Sequence, residues 1–334
     1  MKICIYGAGA VGSLLGCELS RTGHEVTLIG RGAHMAAIRA NGLTVIFNGV
    51  PRNAHPACAL APADAGPHEV VIMAVKGHQV PEAARRIGPL LDRRTTVVAA
   101  QNGIPWWYFH GMGDRWQRRV LAAVDPERAA WNAIGPERVI GAVIDASCAL
   151  ISPGVVDHHQ ERRSLTLGEP DGSASPRLMA VAGAFAAIDI AAPVTADIRH
   201  AIWAKLLSNL GVSMLCVLTR ATVGRINADD GCFAVATALM REMQQVAAAL
   251  GVDIAPAVEK RLASRSPALQ HKPSTLQDLE GGRPMEIDPI CGAVVEMARL
   301  AGVATPTIDA VYALARRLAE STGTYPANPA FRPG

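Results

Sequence analysis

The chain has 334 residues, half of them hydrophobic and 18% charged, which supplies a sizeable core and excludes a disordered chain. Its formal charge of +3 is small for that length and gives no reason to invoke nucleic acid or a membrane surface as a partner. The seven cysteines are scattered without a C-x-x-C pair, which argues for reduced thiols in a cytoplasm and against a disulfide frame or a metal site.

In chain order, Lys2 to Tyr6 reads as a short buried strand, followed by Gly7-Ala8-Gly9-Ala10-Val11-Gly12 and an apolar helical run to about Arg21. A strand entering a helix through G-x-G-x-x-G leaves backbone N–H groups free where a pyrophosphate can sit. Gly7 permits the tight turn, Gly9 lets phosphates approach, and Gly12 lets the helix pack close on the strand. The apolar start carries this loop and lacks a basic segment, so it does not read as a signal peptide. No uninterrupted apolar run reaches membrane-spanning length. Glu25 to Ile29 is a second strand and 34–41 a short helix stopped by Asn41-Gly42. Glu69 to Val75 is the continuous apolar run of a strand covered on both faces. A helix over 78–91 and a strand over 95–100 follow. This alternation predicts βαβ units and a parallel sheet. Between Gly103 and Pro136 the pattern breaks into a long excursion carrying Trp106-Trp107-Tyr108-Phe109. Strands are expected again at 139–144, 154–156 and 164–167, with Ser152-Pro153-Gly154 as the turn between the first two, and a helix at 179–187.

From Asp197 the strand signal vanishes and helices are expected over 198–218, 232–250, 255–264, 289–301 and 306–321. The composition therefore divides near Pro193 into an α/β dinucleotide-binding domain of the Rossmann type (1–193) and an all-helical domain (194–334). The three-proline tail from Tyr325 to Gly334 reads as irregular. Helices 232–250 and 289–301 offer apolar faces for an interdomain or a subunit interface, which is compatible with a homodimer.

The second strand ends Leu28-Ile29-Gly30-Arg31 with no carboxylate for a ribose hydroxyl. A guanidinium there suits a 2′-phosphate, which favours NADP(H), although a solvated surface Arg31 has the same sequence. In the helix after Asp197, Lys205, Asn209 and Ser213 are spaced four apart and share one face within about 80°. Lys205 beside an apolar stripe suits a proton donor, and equally a side chain whose stem lies on that stripe and whose head reaches water. Ser274 and Glu286 lie on either side of Gly281-Gly282. Asp288 before Pro289 fits a helix N-cap, which leaves Glu286 unexplained. Gln101-Asn102-Gly103 follows a strand end, where open α/β sheets bind ligands and where Asn-Gly turns are also common. Lys76 lies at a similar edge.

These residues together resemble the ketopantoate reductase family over nearly the whole length. The resemblance rests on Gly7-x-Gly9-x-x-Gly12, Arg31, Lys76, Gln101-Asn102-Gly103, Trp203-x-Lys205-Leu206-x-x-Asn209, and Ser274-x-x-Gln277-Asp278 with Glu286-Ile287-Asp288. It implies NADPH-dependent reduction of the 2-keto group of ketopantoate to pantoate, a pantothenate precursor, in a cleft between sheet and helices. It further implies Lys205 as general acid, Glu286 holding the substrate hydroxyl and helping to place Lys205, and Ser274 and Asn209 binding substrate, with Ser213 as a further substrate contact. Asn102 is implied at the junction of cofactor and substrate, and Lys76 beside the cofactor. Family members commonly carry a second Asn where this chain has Ser213, and the aromatic segment after Asn102 exceeds their compact form. Both departures leave room for a different 2-oxo acid on the same scaffold. A non-catalytic NADP-binding regulator is a third reading, disfavoured by Lys205, Asn209, Ser274 and Glu286 occurring together.

Overall fold

The computed structural model describes residues 1–113, 115–158, 163–186 and 188–326. It divides into two compact units. The first comprises Met1–Gln101, Trp107–Val120 and Arg128–Ile198; the second comprises Asn102–Trp106, Leu121–Glu127 and Arg199–Gly334.

The first unit is built on β1 (Lys2–Tyr6), α1 (Ala10–Arg21), β2 (Glu25–Ile29), α2 (Gly32–Asn41), β3 (Leu43–Phe47), β4 (Val50–Ala54), β5 (Ala57–Ala59), β6 (Val70–Met73), α3 (Val80–Arg86), β7 (Thr96–Ala99), α4 (Ala129–Ile134), β8 (Val139–Asp145), β9 (Cys148–Ser152), β10 (Val155–His158), β11 (Ser164–Gly168) and α5 (Pro176–Phe185). The main sheet runs β11-β8-β7-β6-β1-β2-β5, with β11 antiparallel and every other pairing parallel. The order reverses between β1 and β6, the switch point where doubly wound sheets bind ligands. Strands β6 and β7 are buried at every residue, as the apolar runs require.

A second sheet, β4-β3-β10-β9, was not foreseen. Its β3–β4 hairpin closes through Asn48-Gly49, both with positive φ, the two-residue turn that suits twisted strands. Helix α1 packs against β1 and β2 and also against β3, β4, β9 and β10. It is covered on both sides, which is why its middle, Gly12 to Leu19, is buried throughout and mostly apolar. The turn at Ser152–Gly154 joins β9 to β10, not β8 to a following strand. The helix expected over 78–91 is broken into short turns around α3 because Pro89 cannot continue it. Trp107, Tyr108 and Phe109 are core side chains and not a surface excursion. Gly141 on β8 has no side chain, and the Trp107 ring fills that space.

His34 on α2 ties three elements of this unit. Its Nε2 pairs with Ser13 Oγ at 2.9 Å, and its Nδ1 accepts from the Gly154 amide at 2.9 Å. An accepting Nδ1 requires the neutral ring, and burial holds the imidazole below its usual pKa. The unfolded chain therefore binds the proton more tightly. Stability from His34 is present above about pH 6.5 and is lost as pH falls through the depressed folded value. In His34→Gln, the fall in Tm between pH 7 and pH 5 should shrink. It should not vanish, because His68 is also held down by burial. An unchanged slope would count against the neutral ring.

The second unit contains α6 (Ile198–Ser208), α7 (Met214–Thr219), α8 (Val223–Ala228), α9 (Asp230–Ala249), α10 (Ala255–Ala263), α11 (Ser274–Glu280), α12 (Ala293–Ala301) and α13 (Pro306–Ser321). Two wide π turns interrupt these helices, Asn209–Ser213 between α6 and α7, and Asp288–Gly292 leading into α12. The helical run Ile198–Thr219 is the one among the described residues long and apolar enough to cross a membrane, and most of it is buried. The expected irregular tail beyond Pro326 lies outside the described residues.

Candidate active site

Each unit carries part of the predicted set. In the first, β1 delivers Gly7, whose φ is +116° and whose missing side chain leaves room for Ala74 and Val75 after β6. The amides of Gly7 and Ala8 both donate to the Ile29 carbonyl at 3.0 Å, which locks the loop onto the end of β2. The first closed turn of α1 is the Ser13 amide to the Gly9 carbonyl, 2.8 Å. The amides of Gly9, Ala10, Val11 and Gly12 precede that turn and lie at the positive end of the helix, where an anion is favoured. No side chain caps this terminus, and a Cβ on Gly9 would meet nothing within 4 Å. A dinucleotide phosphate fits such an end. Gly7 and Ala8, expected as cofactor contacts, have their amides engaged by β2.

Arg31 is exposed and immediately precedes α2, two residues beyond the carbonyl that holds the glycine loop. Lys76 is half-buried and follows the Ala74–Val75 backbone on which Gly7 packs. The parallel register of β1, β2 and β6 thus brings the loop, Arg31 and Lys76 to one edge of the sheet.

Asn102, Lys205, Asn209, Ser213, Ser274 and Glu286 all fall in the second unit. Asn102 is carried by a segment fixed to the second π turn. Gly103, at φ +84°, lies so close to Pro289 that a Cβ would come within 2.3 Å of its carbonyl oxygen, and the Ile104 amide donates to that same oxygen at 2.8 Å. Lys205 and Asn209 are half-buried on α6 and at its end. Helix α11, opened by an exposed Ser274, packs against α7, and the two π turns lie against each other. The charge of Lys205 is felt at His271, where burial, then Arg261, then Lys205 push the imidazole pKa down.

Two local expectations change. The regular four-residue spacing does not hold through Ser213, because the π turn widens the helix there. The Ser213 hydroxyl is buried and donates to the Ser208 carbonyl at 3.0 Å. Asp288 is no N-cap: its carboxylate accepts from the hydroxyls of Tyr312 and Tyr325. Burial pushes Asp288 up, and Tyr325, Tyr312 and Arg316 pull it back. Sequence reading missed Tyr312 and Tyr325. π turns are frequent at functional sites, but their signature is not local in sequence.

Residues 3–172 match the sequence family described as ketopantoate reductase PanE/ApbA, and residues 197–319 match its C-terminal part. The chain is 43% identical to 2-dehydropantoate 2-reductase of Mesorhizobium japonicum over 326 residues, 97% of this chain and 100% of that one. A crystal structure from Ralstonia solanacearum MolK2, whose own assignment as a ketopantoate reductase is provisional, superposes with a TM-score of 0.91 at 37% identity, covering 97% and 99% of the two chains. The fold alone is shared with D-mandelate dehydrogenase, solved with NADH and anilino(oxo)acetate, at a TM-score of 0.82 and 24% identity over 97% and 99% of the chains.

Proposed function

The chain belongs to the ketopantoate reductase family, whose enzymes are NAD(P)-dependent 2-oxo acid reductases, and on that premise we propose that it reduces ketopantoate to pantoate with NADPH. The observation that carries the proposal is the end-to-end similarity to the Mesorhizobium japonicum reductase. The bound nicotinamide supplies the hydride. Lys205 stabilises the charge that develops on the former ketone oxygen and gives it a proton. Glu286 holds the substrate hydroxyl, and Asn209, Ser274 and Asn102 orient the substrate. Arg31 pairs with the 2′-phosphate and Gly9 to Gly12 hold the pyrophosphate, with Lys76 alongside. The same reading places the enzyme in the cytoplasm, in pantothenate biosynthesis.

Ser213 favours a second reading, another 2-oxo acid on the same scaffold, since its hydroxyl is turned to its own helix. NADPH oxidation measured against a panel of 2-oxo acids separates the two. Ketopantoate should give the highest kcat/KM; an aryl 2-oxo acid preferred by more than about tenfold, a difference of about 1.4 kcal/mol, would replace it.

The cofactor is tested at Arg31. Charge-assisted hydrogen bonds contribute about 1.5–3 kcal/mol. Arg31→Ala should therefore raise KM for NADPH by roughly ten- to a hundredfold and leave KM for NADH nearly unchanged. Equal changes for both would remove the assignment to NADP.

A further inference from the structure

Glu286 is mounted on a segment tied on both sides to α13 and the residues that follow it. Before it, the Met285 amide donates to the Thr324 carbonyl at 2.9 Å. After it, the buried Asp288 carboxylate accepts from the Tyr312 hydroxyl at 2.8 Å on Oδ1, and from the Tyr325 hydroxyl at 3.0 Å on Oδ1 and 2.8 Å on Oδ2. The tail that makes these contacts is itself fixed. The amides of Thr324 and Tyr325 donate to the Ala319 carbonyl in the last turn of α13, at 2.8 and 3.1 Å, and Thr324 is 1% exposed. Asp288 opens the second π turn, and the next residue, Pro289, offers the carbonyl that holds Ile104 beside Asn102. A buried carboxylate needs its oxygens filled, so loss of the Tyr325 hydroxyl forces the turn to adjust. The match to the C-terminal family sequence ends at residue 319, short of this tail.

We propose that Thr324 and Tyr325 form a positioning strap which, through Met285 and Asp288, sets Glu286 and the Asn102 segment for the substrate. Tyr325 is a positioning residue: it acts through Asp288 and touches neither substrate nor cofactor. The proposal rests on the substrate-holding role given above to Glu286.

The test is Tyr325→Phe in the full-length enzyme, which keeps the ring and removes the hydroxyl. kcat/KM for ketopantoate should fall about tenfold with KM for NADPH within twofold of wild type. Hydrogen exchange should accelerate at 102–104 and 286–292 and stay unchanged in α9. A lower Tm with unaltered kcat/KM and unaltered exchange at those segments would show a merely structural role and overturn the strap. If the wild type does not reduce ketopantoate, the functional reading fails, and the exchange pattern of the variant still decides for or against the strap. If the variant does not fold, wild-type exchange decides: NADP⁺ with pantoate should slow exchange at 324–326 together with 286–292, and protection of 286–292 alone overturns the proposal.

Discussion

Lys205→Ala is expected to lower kcat for ketopantoate by about 10²–10⁴-fold while leaving the Kd for NADPH within about twofold. Hydride arrival at the ketone carbon leaves negative charge on its oxygen, and an ammonium within hydrogen-bond reach stabilises that charge before donating its proton. Alanine removes both effects at once. Of the residues assigned to the dinucleotide, Gly9 to Gly12, Arg31 and Lys76 belong to the other compact unit and Asn102 alone shares a unit with Lys205, so binding should survive the change. Lys205→Arg separates the two contributions: the guanidinium restores positive charge but does not give up its proton, so the variant should recover only part of the loss. Turnover of the alanine variant within tenfold of wild type would remove Lys205 as the proton source.

The parts of this molecule that were legible in the sequence are those whose determinants are local. The β1–loop–α1 unit is written in twenty consecutive residues, Lys2 to Arg21, and Arg31 stands two residues past the end of β2. The longer helices after Asp197 follow from their apolar period, whereas the short α8 and α11 fall outside the expected runs. What escaped depends on partners distant in sequence. Residues 209–213 keep an ordinary helical pattern, and their π turn lies against the turn at 288–292. Asp288 before Pro289 satisfies the rules for a helix cap, so nothing nearby hints at Tyr312 and Tyr325 as its partners. Trp107 is core only because Gly141 leaves the space it fills. The small sheet is a different case. Its Asn48-Gly49 hairpin signal was present, but β3 and β4 lie outside the buried parallel pattern that organised the rest of the domain.

Gly12→Ala should both destabilise the protein and weaken NADPH binding, whereas Gly9→Ala should weaken binding alone. A Cβ on Gly12 would come within 2.0 Å of the Gly7 carbonyl oxygen and 3.0 Å of Ile5 Cγ2. Neither can retreat easily. Gly7 is bonded to the Ile29 carbonyl and backed by Ala74 and Val75, and Ile5 is a fully buried residue of the central strand. The alternative, lifting α1 off the strand, is blocked by the second sheet on its other side. Overpacking of this kind costs about 3 kcal/mol at the upper end of its usual range. If that strain falls on the loop geometry, it corresponds to roughly a hundredfold in Kd. On Gly9 the same methyl meets only open space, so Tm should stay within about 2 °C of wild type. Any loss of affinity there must come from a collision with the ligand itself. Thermal melts and NADPH titrations of the two variants thus read the protein's packing and the cofactor's position separately. Wild-type affinity in Gly9→Ala would mean that the pyrophosphate does not approach this turn, and wild-type stability in Gly12→Ala would mean that helix and strand are not held as close as the 2.0 Å contact requires.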